Sequence, residues 1–303
     1  MDPVTSTRRG TLYGAGAYVL WGLFPLYWPL LKPAGALEVL AHRIVWSLAV
    51  VAVLLAVLHR TPQLLAVVRD RAKLWRLSLA AVVVAINWGT YIWGVTHDRI
   101  VETSLGYFVN PIVTVLLGVL VLGERLRRLQ WAAMALALLA VVVLSVQGGR
   151  PPWLALVLAF SFGTYGLLKK TADVGAVEGL GVETLVLLVP AGAYVAWLGA
   201  SGHSTFGSHG PGHAGLLALS GIVTAVPLLL FGAAATRVPL TTLGVLQYLA
   251  PTLQFLIGVL LYREPMPPAE LLGFVLVWVA LALFTSDTLR RRRQLRLAVP
   301  QPA

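Results

Sequence analysis

Apolar residues fall in ten long runs separated by short polar punctuation, at residues 11–31, 37–58, 74–96, 103–122, 129–147, 152–170, 179–199, 214–236, 241–262 and 268–287. An α-helix rising about 1.5 Å per residue needs about 20 apolar residues to cross about 30 Å of hydrocarbon, so the pattern predicts ten membrane-spanning helices. The connections are mostly short. The longest polar gaps are 59–73 and 200–213, the second rich in Gly, Ser and His, and neither holds a soluble domain.

One stretch organises the rest. From Glu102 the chain gives Thr103-Ser104, Leu105-Gly106-Tyr107, Asn110-Pro111, an apolar run and Gly123-Glu124-Arg125. From Thr241 it gives Thr242-Leu243-Gly244, Gln247-Tyr248, Ala250-Pro251, an apolar run and Arg263-Glu264-Pro265. Pro111 and Pro251, Gly118 and Gly258, and Glu124 and Glu264 are each 140 positions apart, and Ala36–Leu40 matches Ala176–Leu180 at the same offset. The chain therefore reads as one unit written twice, at 1–148 and 149–289, followed by a basic cytosolic tail at 290–303. Each unit has five helices, an odd number, so the second runs through the membrane upside down. The expected fold is an all-α polytopic membrane protein of ten transmembrane helices in two inverted five-helix repeats, an arrangement typical of secondary transporters.

Composition agrees with the membrane reading. Of the 303 residues 58% are hydrophobic and 12% charged, against about 25% charged in soluble domains. The net charge of +11 is not a nucleic-acid signature, because the basic residues lie in clusters between apolar runs. With the N-terminus inside, inner segments hold eighteen Lys and Arg and outer segments four, Lys32, Arg99, Arg150 and Arg263. The positive-inside rule thus predicts both termini in the cytoplasm of a bacterial inner-membrane protein. The run after Arg8-Arg9 is too long for a signal-peptide core and is read as a retained first span. There is no cysteine, which excludes disulfides and thiolate metal sites.

Glu38 through Trp46, Ser104 through Pro111, Gly123-Glu124-Arg125, and Thr242 through Tyr248 with Pro251-Thr252 resemble the RarD branch of the EamA family, in the drug/metabolite transporter superfamily. The resemblance covers nearly the whole chain. It implies helices 1–4 and 6–9 around a central cavity, helices 5 and 10 at the periphery, and transport without ATP, usually efflux. Tyr262-Arg263-Glu264 departs from the pattern by lacking the glycine of Gly123-Glu124.

The candidate site residues are polar groups inside spans. Arg43 in helix 2 and Glu183 in helix 7 share the 140-residue offset, and an intramembrane charge costs about 2.5–3.5 kcal/mol unless it faces a cavity or a partner. Entering from opposite faces, they lie about 12 Å apart along the normal of a 30 Å core. This favours two vestibules of one pathway, with Arg43 outermost, over a direct salt bridge. Glu183 is the proton-coupling candidate, since desolvation makes a carboxyl easier to protonate, and His42 is a weaker one. Asn87, Trp88 and Tyr91 lie at mid-span, Asn87 and Tyr91 on one helix face. Trp21, Tyr107, Asn110, Tyr165, Gln247 and Tyr248 complete the expected substrate cavity. Trp28, Trp75, Trp131, Trp153 and Trp278 read as interfacial anchors. Pro111 and Pro251 are the symmetric hinge candidates, because proline frees helix carbonyls.

No phosphate-binding loop, zinc-protease motif, dinucleotide fingerprint or nucleophile elbow occurs. No cofactor and no metal is expected, His203, His209 and His213 being read as solvated loop residues. The expected function is export of a small organic solute, amino-acid-like or drug-like, by alternating access across the lipid bilayer, with proton coupling and a homodimer as admissible refinements. An intramembrane enzyme acting on a lipid or isoprenoid would need more convergent carboxylates or histidines. A membrane sensor or scaffold would need an output domain.

Overall fold

The computed structural model describes residues 3–122, 128–147, 151–235, 237, 246–268, 271–283 and 286, and the regular elements among them are all helical. The long helices are α1 (Pro3–Gly22), α2 (Ala36–Val57), α3 (Arg71–Thr96), α4 (Ile100–Leu122), α5 (Arg128–Gln147), α6 (Trp153–Ala172), α7 (Ala176–Ala200), α8 (Gly210–Ala235), α9 (Leu249–Leu256) and α10 (Leu271–Leu283). All ten apolar runs thus contain helix.

Three departures from the apolar pattern have local causes. The first run is not one helix: α1 stops at Gly22, and Phe24–Tyr27 and the 3-10 turn Trp28–Leu31 follow, each with proline near its start. Pro25 and Pro29 lack the N–H that a continuous helix would need there, and the break turns Phe24 and Trp28 inwards. The polar gap after α2 contains an unpredicted helix, Thr61–Arg69, which opens on Pro62 and buries Leu64 and Val67, three apart on its apolar face. Finally, the described part of α9 begins at Leu249 and ends in a π-helical turn, Ile257–Leu261. Gly123, Glu124, Arg125, Thr241 through Gly244 and the basic tail lie outside the described residues.

Polarity is distributed inside out relative to a soluble protein. Leu120, Val146, Val189 and Leu260 are 70% or more exposed, whereas Glu38, His42, Arg43, Asn87, Asn110, Glu178, Glu183, Thr224 and Gln254 are buried. That is the arrangement of a helical bundle in lipid, where polar groups turn towards one another and away from hydrocarbon. By length and composition, four described helices can cross a membrane: Ala36–Val57, Arg71–Thr96, Ala176–Ala200 and Gly210–Phe231. Four shorter apolar helices, Arg128–Leu144, Trp153–Lys169, Leu249–Leu261 and Leu271–Leu283, accompany them.

The helix contacts follow the repeat. α2 packs on α7 and α4 on α9, and each of these pairs maps onto itself when five is added to or taken from a helix number. Three further sets of contacts are matched: α3–α6 with α8–α1, α4–α6 with α9–α1, and α2–α8 with α7–α3. This is the contact pattern of a two-fold axis through the α2–α7 and α4–α9 junctions. Small residues allow the closest approaches. A Cβ on Gly221 of α8 would collide with the backbone of Trp46 in α2, and one on Gly258 would press on Val101 and Ile100 at the start of α4.

Candidate functional site

Arg43, on the second turn of α2, is 2% exposed and held face-on among aromatic rings. Its guanidinium carbon lies 4.0 Å from the ring centroid of Trp88, 5.2 Å from Trp28 and 5.7 Å from Phe24. Its Nε–H donates to Thr224 Oγ1 on α8 at 2.7 Å, and Thr224 in turn donates to the Ser220 carbonyl. Among the described residues no carboxylate pairs with this cation, and Nη1 has no hydrogen-bond acceptor. Trp28 is therefore not the interfacial anchor expected of it. It is fully buried, because the proline-broken end of the first span folds it over Arg43.

His42 stacks on Phe206 at 4.8 Å, and Trp46 stacks on the same ring at 6.2 Å. Phe206 belongs to the segment after α7, which Glu38 holds by accepting the Thr205 N–H at 2.7 Å. The segment thus covers the Arg43 end of α2. Thr205 Oγ1 also meets His213 Nε2 at 2.9 Å.

Asn87 is a hub between three helices. Its amide nitrogen donates to the Leu158 carbonyl at 3.0 Å and to Ser161 Oγ at 2.9 Å, and its carbonyl accepts from the Tyr107 hydroxyl at 3.1 Å. Tyr91 packs edge-on against Tyr107 at 5.6 Å, and its hydroxyl is buried with no partner among the described residues.

Glu183 lies towards the other end of the bundle. Lys169 Nζ sits 2.7 Å from its Oε1, and the Tyr165 hydroxyl donates to Oε2 at 3.1 Å. Arg43 and Glu183 do not meet. An aromatic path connects their surroundings, from Tyr107 to Phe162 at 6.0 Å and from Phe162 to Tyr165 at 6.0 Å.

The remaining candidates are more dispersed. Trp21 packs with Tyr18 and Phe231, and its carbonyl accepts from Gln254 at 3.1 Å. Asn110 is buried near Gly163 of α6, Tyr248 packs on the α4–α10 core, and Gln247 is half-buried in the turn before α9. The two hinge candidates are not equivalent. Pro111 stands in the body of α4, whereas Pro251 occupies the first described turn of α9, where a missing N–H breaks no intrahelical bond.

Several residues with clear roles were not singled out from sequence. Lys169 is spaced four from Tyr165, which puts both on one face of α6. Thr224 and Phe24 carried no signal. In the sequence Glu264, 140 positions from Glu124, stands out only as a mark of the repeat. Its carboxylate accepts the Ile100 N–H at 2.6 Å and the Val101 N–H at 2.8 Å, capping α4 from across the bundle. The π-turn and the left-handed backbone of Arg263 (φ 51°) deliver it there. Burial above all, with Asp98 and Glu102 nearby, raises the Glu264 carboxyl above the usual range, while the two N–H bonds oppose that.

A groove of about 600 Å³ between α2 and α8, lined by Trp46, Val50, Val53, Ala218 and Ile222, contains none of these polar groups.

The sequence profile of the EamA-like transporter family matches residues 8–146 and again 151–286. Protein RarD of Streptomyces exfoliatus is 58% identical over all of this chain and 96% of its own length. An uncharacterized transporter, YojE, of Bacillus subtilis is 42% identical over 95% of this chain and 97% of its own. Protein RarD of Escherichia coli is 41% identical, over 95% of this chain and 97% of its own. A solved crystal structure with 21% identity aligns over 93% of this chain and 98% of that one at a TM-score of 0.59, which shows a shared fold.

Proposed function

The chain belongs to the EamA-like transporter family and is a multi-pass bacterial membrane transporter; from that premise we propose that it exports a small organic solute by alternating access. The observation that carries this reading is the pairing of two-fold-related helices α2 and α7, each with a buried charge beyond its first turn, Arg43 and Glu183, at opposite ends of the same interior. With both termini cytoplasmic, Arg43 belongs to the outer vestibule and Glu183 to the inner one, and residues 1–148 and 149–289 are the two moving repeats. The polar and aromatic groups between them, Asn87, Tyr91, Tyr107 and Tyr165, form the passage.

Alternating access needs contacts that break on one side while others hold. The outer set is Glu38 with Thr205 and Glu264 with Ile100 and Val101. The inner set is Arg60 with Glu178 and Lys169 with Glu183. Opening either side costs its own hydrogen bonds and ion pairs, which keeps both sides from opening together. Glu183 is the proton-coupling residue in this scheme, because protonation releases Lys169 and loosens the inner end.

Solute flux into or out of liposomes carrying the purified protein tests the transporter reading. Counterflow should appear with wild type and respond to an imposed pH gradient, and Glu183→Gln should lose the pH response while retaining flux. Absence of flux for every solute in a metabolite-wide screen overturns export, and an unchanged pH response in Glu183→Gln overturns the coupling role. The transporter names of the relatives support a non-enzymatic role.

A further inference from the structure

We infer that Arg43 is the recognition point for a carboxylate, so that the solute is a small organic acid or a zwitterion with a free carboxyl group, a statement that rests on the transport reading above. The inference starts from what the surrounding rings do and do not satisfy. Trp88, Trp28 and Phe24 lie over the guanidinium and offset its charge through their π faces. They accept nothing from its N–H groups, which lie in the guanidinium plane. Thr224 takes the Nε–H, and its own hydroxyl hydrogen is committed to the Ser220 carbonyl, so it fixes the orientation of the group without neutralising it. Nη1 has no acceptor among the described residues.

Two further buried donors without partners share this apolar cluster, the Tyr91 hydroxyl and the Trp28 indole N–H. Tyr91 packs in the same buried cluster as Phe24 and Trp28, two of the rings that hold the guanidinium. The region therefore offers donors and positive charge and, among the described residues, no carboxylate to balance them. A carboxylate supplies what is missing, two coplanar oxygens that take parallel N–H bonds from one guanidinium edge. Glu183, the two-fold counterpart of Arg43, is already paired with Lys169 and Tyr165 and does not compete for this role.

The test uses the full-length protein in detergent and reads intrinsic tryptophan fluorescence, since Trp88 and Trp28 flank the guanidinium. Acetate, benzoate, phenylacetate and L-phenylalanine are each titrated beside the corresponding neutral or amidated compound, acetamide, benzamide, phenylacetamide and L-phenylalaninamide, at constant chloride. The expected result is saturable binding of at least one acid, at least ten-fold tighter than its amide. Arg43→Gln should abolish that preference, and Arg43→Lys should weaken acid binding about ten-fold through loss of the planar fork. Tyr91→Phe, which removes a hydroxyl without a partner and keeps the ring, should fold as wild type and weaken acid binding several-fold. Equal binding of acids and amides, no acid binding up to 10 mM ligand (roughly the 2–3 kcal/mol scale of weak single-site recognition), or a retained preference in Arg43→Gln overturns the assignment. Flux of neutral solutes without an acid preference sinks the carboxylate site and leaves transport standing. An acid preference without flux does the reverse.

Discussion

Glu38 and Glu178 are 140 positions apart, and each is buried in the first turn of its helix while holding the segment that leaves the other's helix. Glu38 on α2 accepts the Thr205 N–H beyond the end of α7, and Glu178 on α7 takes Arg60 beyond the end of α2, at 2.8 Å. The antiparallel α2–α7 pair is thus fastened at both ends by the same residue of the repeat. The two fastenings differ in kind, a backbone donor at one end and an ion pair with a half-exposed arginine at the other. Glu38→Ala should cost about 1–2 kcal/mol and accelerate amide exchange across 204–208. Arg60→Ala should cost about 1 kcal/mol or less, because an exposed cation is screened, with exchange rising at the other end. Exchange mass spectrometry on both variants checks this, and identical patterns would contradict independent fastenings.

Lys169→Ala leaves Glu183 buried with Tyr165 alone. Removing one partner of a buried pair is costly, and because Lys169 is partly exposed the loss should be about 2–4 kcal/mol. The double variant Lys169→Met with Glu183→Leu should recover most of it, since no charge is then left behind. Thermal unfolding in detergent distinguishes the two.

Asn87 is fully buried and bonded on both sides of its amide. Asn87→Leu should cost about 1–3 kcal/mol by leaving the buried Tyr107 hydroxyl without its acceptor and removing the amide donor from Leu158 and Ser161. Tyr107→Phe should cost about 1 kcal/mol, and the two together less than their sum, because they share one bond.

Glu264 sets a pH dependence at the start of α4. Its folded-state carboxyl holds a proton to higher pH than in the unfolded chain. Its contribution is therefore fully present below the ordinary glutamate range and is lost as pH rises through the elevated folded value. In melting curves from pH 4.5 to 7.5, wild type should lose more stability with rising pH than Glu264→Gln. Parallel slopes in the two proteins would show that this carboxyl does not carry the dependence.

Pro111 interrupts the backbone bonding of a long helix and Pro251 does not. In the flux assay Pro111→Ala should slow transport several-fold, and Pro251→Ala should alter it less than two-fold, roughly within the few tenths of a kcal/mol typical of a proline in a first helical turn. Equal effects would restore the symmetric hinge.

The helical architecture was legible because lipid imposes a simple rule. Backbone groups in hydrocarbon must be satisfied within a helix, so a run of about 20 apolar residues declares its own structure. The 140-residue offset then disclosed the repeat, and Arg43, Glu183 and Asn87 stood out because charges and amides are costly in such runs. The Thr61–Arg69 helix was hidden because nine mixed residues look like a polar gap until Leu64 and Val67 find the core.

What the chain alone determined was which residues are too polar to face lipid, together with the repeat that makes some of them counterparts. Only the tertiary structure decided their partners. Partnership depends on which helices pack and at what height, and those follow from close approaches such as Gly221 on Trp46 and Gly258 on Val101. It gave Glu183 a lysine and a tyrosine and gave its counterpart Arg43 three aromatic rings and a threonine. Two positions equivalent in sequence thus became a neutralised carboxylate and a cation still able to take an anion.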